Sequence, residues 1–188
     1  MTRFLSRLKR NQKGVAALEF AISLPLIFLL LFGVIEVTRF ILVAQMVTNA
    51  SRTMADLASQ GETMDATELN DLFQAVRFVA RPFDMQTSGK VFVSSVTRAD
   101  LASPPEMNWQ ECQGDLTETS NIGIPGNTPT LPTGFTVRPG YTVIASEAFY
   151  DFEPILFTWI MPPTRIYRAN YFRARLGALT SLSGGTGC

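Results

Sequence analysis

The chain has 188 residues, with 16 basic and 16 acidic residues and no histidine. This length allows one membrane span and one modest domain, and it excludes a multi-domain enzyme. Without histidine the commonest general base and metal ligand are missing, and the two cysteines alone cannot form a structural zinc site. We therefore expect no metal and no cofactor.

The charges are unevenly distributed along the chain. The first 14 residues carry five basic residues and no acidic residue, and their removal would leave 11 basic and 16 acidic residues, a net charge of −5. A mildly acidic domain has the wrong sign for nucleic acid, so we expect no nucleic-acid partner. The early cations instead predict a cytoplasmic amino terminus, because Lys and Arg are retained on the inner side of a membrane.

A long apolar stretch follows this basic leader. No charged residue lies between Phe20 and Ile35, and the helical pattern from Val15 to Ala44 is long enough to cross a bilayer. Pro25 is expected to bend this helix, because it lacks a backbone donor and its ring clashes with the preceding turn. Because the amino terminus is predicted to be cytoplasmic, the chain beyond this span is predicted to be periplasmic.

Glu19 is the unusual residue of this span. A charge in hydrocarbon costs about 2.5 to 3.5 kcal/mol on insertion scales, so it requires a partner or a function. If the chain were cut after Gly14, the new amine of Val15 would lie about 6 Å from Glu19 along the helix axis. Proteolysis would thus supply a cation, either in the same chain or in a neighbouring one.

The region around Gly14 resembles a known kind of processing site. A basic leader, Gly14, Glu19 at the fifth position after it, Phe20 and an apolar helix are together similar to type IV pilin-like proteins. The run from Lys13 to Ala58 resembles the TadE-like minor pseudopilins of the tight adherence, or Flp pilus, system. The major Flp pilins are much shorter and usually carry Glu-Tyr at the position of Glu19-Phe20, which favours the TadE or TadF type. The TadG type is usually larger, so length favours TadE.

The resemblance implies a function in Flp pilus assembly, with no enzymatic activity of the chain itself. The prepilin peptidase would cut between Gly14 and Val15, and Glu19 would compensate the Val15 amine of a neighbouring subunit, with Phe20 beside it. The implied partners are the major Flp pilin, TadF-like and TadG-like proteins, the inner-membrane assembly platform and the bilayer. Incorporation into the fibre and priming of its assembly are both compatible with this pattern.

Three other interpretations remain open. The main alternative is an uncut single-pass anchor that carries a periplasmic binding domain, and an ordinary secretory signal is another. A periplasmic enzyme is the third interpretation, and it has little support, because Glu147, Asp151 and Glu153 have no recognisable catalytic spacing and are expected to be solvated.

Glu36 and Arg39 share a helix face and are expected to form an interfacial ion pair worth at most about 1 kcal/mol, or a subunit contact.

The expected fold is α+β. It comprises a leader at 1–14, a transmembrane helix at 15–44, a helical extension at 45–60 and a periplasmic domain at 61–188. The extension carries a core-facing stripe, and the helix is expected to end near Ser59. A second helix, capped by Thr67 and stopped by Pro82, is expected next. Three strands, at 89–98, 141–150 and 165–175, are expected to form an antiparallel sheet packed on the long helix.

Two segments of the domain lack a regular pattern. The region 102–140 is rich in Pro, Gly and Thr, which predicts an irregular loop that is either a binding surface or a mobile flap. An apolar cluster before the last strand is expected to pack in the core, or alternatively to form an exposed patch near the outer membrane face or a partner subunit. This cluster comprises Phe152, Ile155, Leu156, Phe157, Trp159 and Ile160.

The two cysteines are expected to form one disulfide. Cys112 lies in the irregular loop and Cys188 follows a Gly-rich tail. An oxidising periplasm favours a bond between two such residues, which would fix both segments. Two unpaired thiols are the alternative.

Overall fold

The computed structural model describes residues 14–155, 158 and 161–188. It confirms the α+β class, with a long apolar helix followed by a small domain that contains an antiparallel sheet. Leader residues 1–13, and Leu156, Phe157, Trp159 and Ile160 of the predicted apolar cluster, lie outside the described residues. The elements are α1 (Val15–Ala58), α2 (Ala66–Val79), β1 (Gly89–Thr97), β2 (Glu106–Gln113), β3 (Thr142–Phe152) and β4 (Thr164–Arg173).

The chain divides into two compact units. The first contains the chain up to Phe40 together with Pro154–Pro162, and the second contains Ile41–Glu153 and Pro163–Cys188. Helix α1 contributes to both units, and Pro25 lies inside it without ending it. The helix end expected near Ser59 is confirmed to within one residue.

In the first unit, α1 presents an almost continuous apolar surface. An 18-residue window of this helix has a mean hydropathy of 2.5, and only 6% of it is buried within the chain. Its length and composition are sufficient to cross a membrane. The exposed apolar side chains include Leu18, Phe20, Ile22, Leu26, Ile27, Leu30 and Val34.

In the second unit, the last part of α1 is a core helix. The predicted stripe is confirmed, since Val47, Ser51, Met54 and Ala58 are all buried. Ser51 connects the helix to the sheet: its Oγ donates to the carbonyl of Ser146 at 2.8 Å and accepts from Asn170 Nδ2 at 3.1 Å. The buried Ser51 hydroxyl therefore both donates and accepts, so its own hydrogen-bonding capacity is satisfied at this contact.

The N-cap of helix α2 lies two residues before the predicted one. Thr67 was the expected cap, but this prediction is wrong, because the Asp65 carboxylate accepts from the Glu68 backbone N–H at 2.8 Å. Asp65 has extended backbone angles, as an N-cap residue requires, whereas Thr67 is already helical. The buried face of α2 consists of Leu69, Phe73 and Val76.

The sheet has four antiparallel strands in the order β2-β1-β3-β4, so the predicted count of three is wrong. The three predicted strands are present, and the missed one is β2, which lies within the region 102–140 predicted to be irregular. Its sequence is rich in Glu, Asn and Gln, which are poor strand formers. Pairing with the apolar strand β1 therefore determines its conformation more than its own propensity does.

Much of the remaining irregular segment covers one face of the sheet. Ile122 is buried with Met107 and Ala145, and Val137 is buried with Val96 and Val143. These contacts explain why β1 and β3 are buried along almost their whole length. On that face of the sheet the irregular segment provides the cover, so a helix is not needed there. The segment therefore forms part of the hydrophobic core.

A disulfide joins Cys112 in β2 to Cys188, with the two Cα atoms 5.5 Å apart, as the sequence predicts. The Cα separation is within the usual range for such a bond. The bond connects an edge strand of the sheet to the last residue of the tail. It closes a ring across 76 positions of sequence.

Removal of this bond is expected to destabilise the domain. In the loop-closure model, a ring of this size is worth about 4 kcal/mol, through the entropy of the unfolded chain. Cys112→Ser, Cys188→Ser and the double variant should therefore show similar decreases in the urea midpoint of the detergent-solubilised full chain. Wild-type protein in reductant should match them. A decrease in the single variants that the double variant does not share would indicate that the cysteines act separately.

Candidate assembly site

Gly14 and Val15 lie exposed at the start of α1. A Cβ atom built on Gly14 would meet no heavy atom within 4 Å, so the fold of the described residues does not require a glycine there. The conformational freedom of glycine is likewise not used, because Gly14 is not among the residues with positive φ. Any requirement for glycine at this position would therefore arise from an interaction with another molecule.

Glu19 and Phe20 lie one turn further along α1, and both are exposed. Within the part of the chain that the structure describes, no hydrogen bond or ion pair to the Glu19 carboxylate is found. Of its neighbours one turn away along the helix, Val15, Ala16 and Ile22 are apolar, and the Ser23 hydroxyl donates to the Phe20 carbonyl. A carboxylate in this position would require a cation from outside the described chain if the helix were inserted in lipid.

Glu36 has a different environment at the other end of the apolar stretch. It is only 3% exposed, and its Oε1 accepts from Arg39 Nη1 at 2.9 Å. The backbone N–H of Ile155 also points at this carboxylate, at 3.2 and 3.3 Å from its two oxygens. The ion pair predicted from the spacing is present, and it is buried and reinforced by a distant segment of the chain.

A second buried carboxylate lies in the domain, on the central strand β3. Glu147 is fully buried, and its two oxygens accept from three donors. Asn121 N–H and Tyr167 Oη each donate to Oε1 at 2.9 Å, and Ser120 Oγ donates to Oε2. Ser120 and Asn121 belong to the irregular segment, so Glu147 fixes this segment to the sheet. The expectation that Glu147 is solvated is wrong.

Burial raises the pKa of the Glu147 carboxyl above its ordinary value of 4.5. The hydrogen bonds from Ser120, Tyr167 and Asn121 oppose this shift, because each of them favours the charged form. Burial, followed by the nearby charge of Glu147, also raises the pKa of the Tyr167 phenol. The phenol therefore stays protonated and remains a donor to the carboxyl group.

The other two carboxylates considered in the sequence have ordinary roles. Asp151 accepts two hydrogen bonds from Arg165, at 2.6 and 2.7 Å, across the β3–β4 pair. Glu153 is exposed, as expected. Among the described residues no group of three or more Cys, Asp or Glu side chains is arranged to hold a metal ion.

Comparison with known families gives one finding. The family model described as TadE-like protein matches residues 14–56, which lie almost entirely in α1. The resemblance predicted for Lys13 to Ala58 is thereby confirmed over residues 14–56, a range in which Gly14, Val15, Glu19 and Phe20 lie. No curated protein and no solved structure shows a significant match to the chain.

The raised pKa of Glu147 predicts a specific pH dependence. The stabilising contribution of this group is fully present below the pKa of the unfolded chain and is lost as pH rises through the higher pKa of the folded chain. Glu147→Gln cannot ionise, so its stability relative to wild type should improve as pH rises from acid to neutral. The urea midpoint of the detergent-solubilised full chain, followed at several pH values, measures this difference. Glu62→Gln, at an exposed carboxylate, is the matched control and should parallel wild type; an equal response from both variants would contradict the assignment.

Proposed function

We propose that the chain is a TadE-like minor pseudopilin that acts in Flp pilus assembly at the bacterial inner membrane. The observation that carries this proposal is the start of α1, where the family match, the exposed Gly14–Val15 bond and the unpaired Glu19 coincide. The amino terminus is cytoplasmic and the sheet domain is periplasmic. The chain is a substrate of the prepilin peptidase rather than an enzyme.

The dimensions of α1 support a membrane-spanning role. Val15 and Glu36 are 21 positions apart, or about 32 Å along a helix, which is close to the roughly 30 Å thickness of the hydrocarbon core. Glu19 then lies within the inner half of this span, and Glu36 with Arg39 lies at its outer boundary. Only Glu19 would be immersed in hydrocarbon, and it is also the carboxylate without a described partner.

Cleavage between Gly14 and Val15 would provide the missing cation. The new Val15 amine is positively charged, and a neighbouring subunit displaced along the helix axis can bring that amine to Glu19. Pairing removes the cost of an isolated charge in lipid and also sets the register between adjacent helices. The partners proposed on this basis are other pilin-like subunits, including the major Flp pilin and TadF-like or TadG-like proteins, and the inner-membrane assembly platform.

Gly14→Ala tests the processing step. Because a side chain at this position meets nothing in the described structure, the variant should insert and fold normally, but the peptidase should cut it far more slowly. Mass measurement of the amino-terminal peptide from membranes, compared with wild type, distinguishes the two forms. Gly33→Ala, at another position where a Cβ atom meets nothing, is the control and should be cut normally. A wild-type chain that retains Met1 would instead support an unprocessed anchor.

Glu19→Gln tests the pairing step. The uncharged amide should leave membrane insertion intact, since it reduces the cost of burial in lipid, but it should strongly reduce the number of assembled pili. Quantitative microscopy of piliated cells, together with membrane fractionation, separates assembly from insertion. Glu62→Gln changes an exposed carboxylate outside the apolar helix and should have no effect. Normal piliation in Glu19→Gln cells would exclude the proposed ion pair.

A further inference from the structure

The segment that connects β3 to β4 has an unusual composition. From Pro154 to Pro163 the segment contains no charged residue, and Thr158 is its one residue with a hydroxyl group. Its residues include isoleucine, leucine, phenylalanine, tryptophan and methionine, a mixture typical of the boundary between water and a lipid bilayer. Surface loops between antiparallel strands are ordinarily polar, so this composition requires a specific explanation.

Among its described residues, Ile155 brings this connection into contact with the apolar helix. Pro154–Pro162 forms one compact unit with the part of α1 up to Phe40, whereas the strands on either side belong to the other unit. The link is the carboxylate of Glu36, which accepts from the Ile155 N–H. Along this stretch of α1, Glu36 is the most buried residue, and Phe32 and Phe40 on the same side are half-buried.

The position of Glu36 determines where this connection lies. If the helix spans the membrane as proposed above, Glu36 is about one hydrocarbon thickness from Val15 and therefore at the outer boundary of the bilayer. Ile155 is hydrogen-bonded to Glu36, so it lies at the same depth. Its side chain is nevertheless 68% exposed, which leaves a large apolar group uncovered by the chain itself.

We infer that the β3–β4 connection makes a second membrane contact through Ile155, whose side chain lies in the acyl–headgroup boundary of the outer leaflet. The occupant of this surface is lipid, because Ile155 is bonded to Glu36, and the helix residues on either side of Glu36, Ile35 and Val37, are themselves exposed apolar residues. The Ile155 N–H and Arg39 together satisfy Glu36, so that a carboxylate can remain buried where the connection meets the helix. This inference rests on the membrane-spanning role in the proposed function.

The test uses tryptophan emission from the full chain reconstituted in phosphatidylcholine vesicles. The chain has two tryptophans, and Trp109 is buried with its Nε1 donating to the Leu179 carbonyl at 2.8 Å. A Trp159→Phe variant therefore retains only Trp109 and serves as the background. Ile155→Trp in this background adds a reporter at the proposed contact, and Phe28→Trp adds one in the middle of the apolar helix.

The lipids carry bromine either near the carbonyl end or near the methyl end of one acyl chain. For Ile155→Trp we expect an additional loss of emission over the background, larger with the shallow label than with the deep one, and a shift of the emission maximum to shorter wavelength. For Phe28→Trp the order of the two labels should be reversed.

The possible results separate this inference from the proposed function. Quenching of Phe28→Trp without additional quenching of Ile155→Trp would overturn the second contact and leave the spanning helix intact. It would also be the result if another protein subunit, rather than lipid, covers this surface. If neither reporter is quenched and the chain does not float with the vesicles, the spanning helix itself is wrong, and this inference is overturned with it.

Discussion

The exposed apolar surface on the first part of α1 is the constraint on which the organisation of the chain depends. Up to Phe40 the helix has almost no cover from its own chain, whereas beyond Ile41 its stripe is buried in the domain core. A surface of that size in water would be strongly unfavourable, since each apolar side chain left exposed forfeits about 1.5 to 3 kcal/mol of possible burial energy. Lipid or neighbouring subunits must therefore cover it.

Two buried carboxylates of the chain are each compensated by hydrogen-bond donors. Glu36 is buried with an arginine and a backbone N–H, and Glu147 is buried with two hydroxyls and a backbone N–H. In both cases at least one donor comes from a segment without regular structure, so each carboxylate fixes an irregular segment in place. Glu19 is the exception among these three carboxylates, which is why an external partner is a natural explanation for it.

Most of the fold could be predicted because its signals are local. The charge-free run of α1, its stripe beyond the membrane and the alternating strands β1, β3 and β4 can each be recognised within about ten residues. Strand β2 could not be recognised in this way, since its Glu, Asn and Gln side chains are stabilised by pairing with β1 and by bonds such as Gln110 Nε2 to Ser94 Oγ at 2.9 Å. The cap Asp65 could have been found, because Asp is a preferred N-cap residue and Glu68 follows it by three positions.

The candidate site was predictable where it depends on sequence order and less so where it depends on tertiary contact. Gly14, Val15, Glu19 and Phe20 form a linear pattern in the sequence, and all four lie within the residues that the TadE-like family model matches. The burial of Glu147 depends on Ser120, Asn121 and Tyr167, which are 20 or more positions away in the chain. The sequence did contain one signal that Glu147 is buried. Val143, Ala145 and Phe149 lie on the same face of β3 as Glu147, and an acid among the apolar residues of one strand face requires hydrogen-bond partners.

The disulfide also has a topological consequence. Residues 112 to 188 form a covalently closed ring that contains β3, β4, the irregular segment and the apolar connection between the last two strands. A protease that cuts once anywhere inside this ring cannot release a fragment, because both new pieces remain joined through the sulfur atoms. A nicked chain would therefore migrate as one species until it is reduced, and the domain would retain all its parts.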